Sequence, residues 1–263
     1  MSRTFVLGDI HGAYLALRQC LQRASFDSSG DRLIFLGDVC DGWPQTKECV
    51  DELMRIPDLV CLLGNHDTWL YQWMKYGEVE DIWLDQGGRA TVDSYSDGIP
   101  EEHIDFFGGA KTFYEENNRL FVHAGIPPGR KPQDCTQHQL LWDRTLPSMA
   151  TAFGHKGDNV HLTQYDEVFI GHTPIASPKP EKHCEVWMMD TGAGWSGVLS
   201  MMDVESKECF ISDPVPSLYP GVKEESGTRG SITFRGLILM HFPPYESAAP
   251  SSLHFSTRPF QGR

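Results

Sequence analysis

An α/β fold with a largely parallel sheet core is the architecture this sequence predicts. Three observations point to it. Short apolar, β-rich runs recur along the chain, each ending in a polar cluster with nearby glycine. Helical patterns lie between the first three of them, which makes βαβ units. The conspicuous polar residues all fall at the carboxyl ends of the predicted strands, where ligands bind in open α/β sheets.

The first run, Phe5-Val6-Leu7, leads into Gly8-Asp9-Ile10-His11-Gly12. A helix follows with Leu17, Cys20, Leu21 and Ala24 on one face. Leu33-Ile34-Phe35-Leu36 leads into Gly37-Asp38-Val39-Cys40-Asp41-Gly42, and a second helix aligns Val50, Leu53 and Met54. The third strand, Leu59 to Leu63, opens onto Gly64-Asn65-His66-Asp67. Residues 66 to about 118 read as a mostly helical insertion near the site mouth, with turns at Asp85-Gln86-Gly87-Gly88 and Asp97-Gly98-Ile99-Pro100. Three more strands deliver His123-Ala124-Gly125, Gly171-His172-Thr173 and Asp190-Thr191-Gly192. Residues 197–203 and 208–211 then suggest a closing antiparallel hairpin. Periodicity stops near Pro214. The expected organisation is a catalytic domain over 1–223 and a tail over 224–263, whose apolar stretch Ile232 to Phe242 leaves open a disordered tail or a strand that packs back.

Bulk properties narrow the function. With 263 residues and 40% apolar composition the chain can build a sizeable core. Its start runs directly into a motif, so no signal peptide is expected, and no apolar run approaches the roughly 18 to 20 residues of a membrane span. Seven scattered cysteines with no CxxC pair fit neither a disulfide framework nor a zinc cluster, which points to a reducing cytoplasm. A formal charge of −14 argues against a nucleic-acid binder. Oligomeric state is not legible.

Asp9, His11, Asp38, Asn65, His123 and His172 are the candidate metal ligands. Mixed imidazole and oxygen donors favour Mn, Fe, Zn or Co over Ca or Mg. Six groups serve two ions if Asp38 bridges them, and two ions about 3.5 to 4 Å apart suit in-line phosphoryl displacement. An isolated loop Asp or His is usually a turn former. Six of them at successive strand ends are harder to explain that way.

The ordered set Gly8-Asp9-Ile10-His11-Gly12, Gly37-Asp38-Val39-Cys40-Asp41-Gly42, Gly64-Asn65-His66-Asp67, His123-Ala124-Gly125 and Gly171-His172-Thr173-Pro174 resembles the phosphoprotein phosphatase branch of the calcineurin-like metallophosphoesterases. The similarity covers roughly residues 4 to 203, with the lesser segments Leu140 to Arg144 and Asp190 to Gly192. The resemblance implies a four-layer αββα sandwich of two mixed sheets with helices outside. It places Asp9, His11 and Asp38 on one divalent ion and Asp38, Asn65, His123 and His172 on the other, with Mn the leading ion and Fe, Zn, Co or Ni as alternatives. His66 becomes the general acid and Asp41 its hydrogen-bonded carboxylate, with hydroxide as the direct nucleophile and no phosphoenzyme. Asn65 and Arg144 become the phosphate contacts. Two arginines common in the family are replaced here by Gly42 and Leu63.

The implied function is a phosphomonoesterase similar to bacterial and phage-type serine/threonine phosphatases, acting on phosphoproteins or small phosphoesters. The alternative is a symmetrical diadenosine tetraphosphatase, which shares nearly all these ligands. A more remote alternative is an inactive metal-binding regulator. Asp190 reads as a turn-fixing residue, and His103, His138, His155, His161, His183 and His254 as surface or core. Trp69, Tyr71, Trp73 and Trp83 read as core packing of the insertion, while Trp43, directly after Gly42, is placed where it could line the site.

Overall fold

A computed structural model describes residues 2–154 and 160–222. In chain order these form β1 (Thr4–Leu7), α1 (Tyr14–Arg23), β2 (Arg32–Phe35), α2 (Thr46–Met54), β3 (Leu59–Cys61) and α3 (Asn65–Tyr76). A short α4 (Asp81–Trp83) passes through a kinked turn, Leu84–Gly88, into α5 (Arg89–Ser94), followed by α6 (Glu101–Gly108), β4 (Phe113–Glu116) and β5 (Arg119–Val122). Then come α7 (Gln137–Trp142), α8 (Thr145–Gly154), β6 (Glu167–Ile170), β7 (Glu181–His183), β8 (Val186–Met188), β9 (Ser200–Asp203), β10 (Cys209–Ile211) and α9 (Val215–Leu218).

Strand alternation sets the layering, because successive side chains point to opposite faces of a sheet. Phe5 and Leu7 of β1 and Leu33 and Phe35 of β2 pack with Leu17 and Cys20 of α1 and Cys49, Val50 and Leu53 of α2. Val6 and Ile34 point the other way, into a layer shared with Phe121 of β5, Phe169 of β6 and Met202 of β9. Phe121 and Phe169 stack there with centroids 4.8 Å apart. On the far side, Leu120, Val122, Val168 and Ile170 pack against Leu140, Leu146 and Ala150 of α7 and α8. The result is helices, sheet, sheet, helices: the four-layer αββα sandwich that the sequence resemblance implied. Each fully buried Val, Leu or Phe in it contributes about 1.5–3 kcal/mol.

Both sheets are mixed, with orders β10-β9-β1-β2-β3 and β4-β5-β6-β8-β7. Their centres are parallel, as the βαβ pattern predicts: β1–β2–β3 in one and β5–β6–β8 in the other. The closing hairpin is present, with Cys209 opposite Met202. Strands β4 and β7 were not read from the sequence. Both are antiparallel edge strands, FYEE and EKH, whose charged residues blur the apolar alternation. Met54 departs from expectation too: at the last turn of α2 it is 38% exposed while Val50 and Leu53 are buried. The tail over 224–263, with His254, and His155 lie outside the described residues. Among those described, no helix is long and apolar enough to cross a membrane.

The helical pieces between β3 and β4 dock onto the loop after β2 at one tight point. Gly87, at φ +98, places its carbonyl to accept from Gly42 N at 3.3 Å, and a Cβ at position 87 would stand 2.6 Å from that nitrogen. Gly87→Ala is therefore expected to cost on the order of 1–3 kcal/mol, from a forbidden φ and a backbone clash together. Thermal denaturation checks this, and an unchanged midpoint would show that the kink yields freely.

Candidate metal centre

The strand ends of both sheets meet. Asp9 follows β1, Asp38 and Asp41 follow β2, Asn65 and His66 open α3 after β3, His123 follows β5, His172 follows β6 and Asp190 follows β8. Four residues of these loops take the left-handed backbone that non-glycine residues avoid: His11 (φ 51), Asp38 (φ 60), Asp41 (φ 72) and His172 (φ 60). Such strain persists only where the surroundings impose it. Here Asp38 O accepts from the amides of both Ile10 and His11, at 2.9 and 3.0 Å, and Asp9 Oδ2 accepts from His172 N at 2.9 Å. Glycines let the carboxylates lie against backbone: a Cβ on Gly64 or on Gly171 would stand 2.0 Å from Asp38 Oδ1 or Asp9 Oδ1 respectively.

Two donor sets share one residue. Asp9, His11 and Asp38 offer atoms all within 4.8 Å of one another, and so do Asp38, His123 and His172. Backbone carbonyls set the imidazoles: His11 Nδ1 donates to Cys40 O and His123 Nδ1 to Leu36 O, both at 2.9 Å. In the neutral ring each Nε2 then carries a lone pair. That of His123 faces Asn65 Oδ1 at 2.9 Å and Asp38 Oδ2 at 3.3 Å, an arrangement of acceptors that calls for a positive charge. Asp9 Oδ1 and His172 Nε2 are buried with no hydrogen-bond partner. Orphaned buried acceptors are costly, and their convergence here fits metal ions as the missing partners.

Electrostatics agree. Burial, with Asp190 and Asp38 nearby, drives Asp9 well above the ordinary carboxylate range, so its ionised form needs a neighbouring cation. Burial opposes ionisation of Asp38 too, but His123, His66 and His11 outweigh it and hold Asp38 well below that range. Burial, with His123 and Arg144 nearby, pushes His172 down to about 2, which keeps its ring neutral and able to ligate.

Beside these sets lies a proton-holding pair. His66 Nδ1 meets Asp41 Oδ2 at 2.7 Å, and His66 N donates to Asp38 Oδ1 at 2.9 Å. Burial opposes the charge on His66, yet Asp38 and Asp41 raise its pKa to about 9. The insertion saturates Asp41: Trp83 Nε1 donates to both its oxygens at 2.9 and 2.8 Å, and Thr91 Oγ1 donates to Oδ1 at 2.7 Å. Thr91 also accepts from Asp41 N at 2.9 Å.

Three residues here escaped the sequence reading. Trp83 is buried as expected of a core residue, but its indole N–H has a polar task. Thr91 carries no local signal, since it lies fifty residues from its partner. Asp67 stood in a quoted motif without a role. Its carboxylate accepts from Asp38 N (2.7 Å), Val39 N (2.9 Å) and Gly64 N (2.9 Å), tying the loop after β2 to the start of α3. Burial and the charge of Asp38 raise Asp67 to about 6.

The remaining candidates land as follows. Arg144 is exposed and donates from Nη2 to His172 O at 3.1 Å, so the guanidinium stands beside the centre. Asp190 accepts from Gly192 N at 2.9 Å and so fixes its turn. Leu63 is part of the core, and Gly42, at φ +110, lies under the carbonyl of Gly194, which a Cβ would approach to 3.1 Å. Trp43 does not line the site. It is buried, donates to Ala193 O at 2.7 Å and stacks on Tyr219, because an indole flanking Gly42 packs better against α9's end than toward water. Trp69 is instead the half-buried ring edge-on to His66, with centroids 5.2 Å apart.

A two-sheet sandwich whose strand ends bring together two imidazole–carboxylate sets around one shared aspartate defines a metal-dependent phosphoric ester hydrolase. This chain belongs to the calcineurin-like phosphoesterase family, which matches residues 2–190. It is similar to the symmetrical bis(5'-nucleosyl)-tetraphosphatase of Pseudomonas fluorescens strain SBW25, at 25% identity over 82% of this chain and 98% of that one. Among solved structures it resembles one provisionally assigned as a diadenosine tetraphosphatase (TM-score 0.61, 19% identity, 81% of this chain and 93% of that one). It also resembles a protein serine/threonine phosphatase of Saccharomyces cerevisiae (TM-score 0.52, 14% identity, 85% and 83% covered). At these identities the structural likenesses speak for the fold.

Adding Mn to chelator-stripped protein should raise its melting temperature, since an ion at 100 times its Kd stabilises by about 2.7 kcal/mol. Asp38→Asn, which weakens the donor common to both sets, should shrink that shift to a small fraction. A wild-type midpoint indifferent to Mn, Zn and Co would contradict a metal centre.

Proposed function

We propose that this phosphoesterase hydrolyses dinucleoside polyphosphates, cutting diadenosine tetraphosphate symmetrically into two molecules of ADP. The observation that carries this reading is the likeness to a symmetrical tetraphosphatase along 98% of that enzyme's length. The serine/threonine phosphatase reading, which came first from the sequence, is supported by a likeness of fold alone. The proposed domain is 1–223, and the seven cysteines, all free of disulfides, favour a reducing cytoplasm.

In this reading Asp9, His11 and Asp38 hold one divalent ion and Asp38, Asn65, His123 and His172 the other, with Mn the leading candidate for the donor types. When bound, the ions supply Lewis acidity and offset phosphate charge. The rest is done by side chains. Arg144 offers a guanidinium to the phosphate oxygens from its anchor on His172 O, and Asn65 completes the phosphate contacts. The charge of Asp38 and the carboxylate of Asp41, which accepts from Nδ1, favour a proton on His66 at neutral pH. Its Nε2–H then protonates the departing oxygen, and Asp41, pinned by Trp83 and Thr91, holds the ring while it does so.

Two experiments test this. Mn-loaded protein incubated with diadenosine tetraphosphate should yield ADP as the sole nucleotide product, and Asp38→Asn should abolish it. Unaltered dinucleotide beside active turnover of p-nitrophenyl phosphate would return the phosphomonoesterase reading. Separately, His66→Gln should slow hydrolysis of a poor leaving group by about 10²–10⁴-fold but p-nitrophenyl phosphate far less, since nitrophenolate departs with little acid help. Equal losses on both would remove His66 as the acid.

A further inference from the structure

One large aromatic side chain beside the centre is left about half open to solvent. Of the seven tryptophans, Trp195 alone is exposed, at 48%; the other six are buried or half-buried. It does not sit on a loose loop. Trp195 N and Gly197 N both donate to Gly192 O, at 3.1 and 2.9 Å, Val198 N donates to Thr191 O at 3.2 Å, and Thr191 Oγ1 donates to Val198 O at 2.7 Å. Gly194 presses on His11, whose ring a Cβ there would approach to 2.6 Å. The turn is thus braced against a candidate ligand, and it presents the indole with its centroid 6.0 Å from that of His11.

Other rings continue the wall. His11 and His66 are 5.1 Å apart, His66 and Trp69 5.2 Å, Trp69 and Trp142 5.2 Å, and Trp142 and His172 6.1 Å, all by centroids. Trp195 is the member of this series with the most free surface. Cationic groups are sparse by comparison: Arg144 is the guanidinium placed on His172, position 63 is a core leucine and position 42 has no side chain. A phosphate ligand that brings a planar ring would gain from the indole what further cations would otherwise supply.

We propose that Trp195 is a nucleobase subsite, stacking the base of a nucleotide whose phosphates lie at the metal centre. The inference rests on the nucleotide reading above and deepens it. Stacking on an aromatic face is tolerant of base identity, so the subsite favours nucleotides over base-free phosphates without selecting among bases.

Calorimetry on the Mn-loaded full chain with ADP and with inorganic pyrophosphate, for wild type, Trp195→Ala and Trp195→Phe, tests it. The expected result is ADP binding weakened about 10- to 100-fold in W195A, largely restored in W195F, with pyrophosphate affinity within about twofold throughout. Equal weakening of both ligands would make Trp195 a brace for His11 and overturn the subsite, as would unchanged ADP binding. If W195A fails to fold, Trp195→Leu, closer in size, gives the same comparison. Wild type that binds ADP through Trp195 yet leaves the dinucleotide intact would sink the proposed reaction and keep the subsite. Wild type that cleaves the dinucleotide but binds ADP no better than pyrophosphate would do the reverse.

Discussion

The structure around the centre is a response to one constraint: three carboxylates, Asp9, Asp38 and Asp190, are buried close enough to raise the cost of one another's charge. Buried charge without compensation costs several kcal/mol per ion. Compensation comes from amides aimed at the oxygens, those of His66, His172 and Gly192, and from the imidazoles grouped around Asp38. What remains uncompensated, Asp9 Oδ1 and the lone pair of His172, is what a cation would take. The left-handed turns at His11, Asp38 and His172 follow from the same demand, since an ordinary turn would carry these groups away from their partners.

Labour is divided between the two parts of the fold. Most of the candidate cation donors come from loops that directly follow core strands, so they inherit the rigidity of two packed sheets, while Asn65 opens α3. The pair that holds a proton is different: His66 stands at the start of α3, while its partner Asp41 is held by Trp83 and Thr91 from helices inserted between β3 and β4. Gly87 closes that arrangement by bringing the insertion's backbone onto Gly42. The geometry of the His66–Asp41 pair therefore depends on how the insertion docks, whereas Asp9, His11, His123 and His172 stand on loops outside it.

Much of this was legible in the sequence because it is local. Each β-rich run followed by a glycine-flanked Asp, Asn or His maps onto a strand and its loop, and five such loops carry all six candidate ligands. The layers followed from the resemblance those loops support. What stayed hidden depends on long-range partners. Strands β4 and β7 are polar edges with little alternation. The tasks of Trp83 and Thr91 depend on a carboxylate 42 and 50 residues away, and an indole that donates to buried Asp41 has the same sequence signature as one that fills space. Trp43 and Trp195 show the limit plainly. The first, next to a motif, turned inward onto Tyr219, and the second, in a segment with no aromatic periodicity, faces out beside His11.

His11 and His123 are oriented by main-chain carbonyls, those of Cys40 and Leu36, where a neighbouring carboxylate side chain could have served. A carbonyl belongs to every residue type, so mutation at positions 36 and 40 leaves the tautomer of each imidazole intact provided the strand ends keep their path. Divergence can accordingly run far through the residues flanking the centre before the centre itself is touched. A relative that shares 25% of its residues with this chain over 98% of its own length is what such tolerance would leave behind.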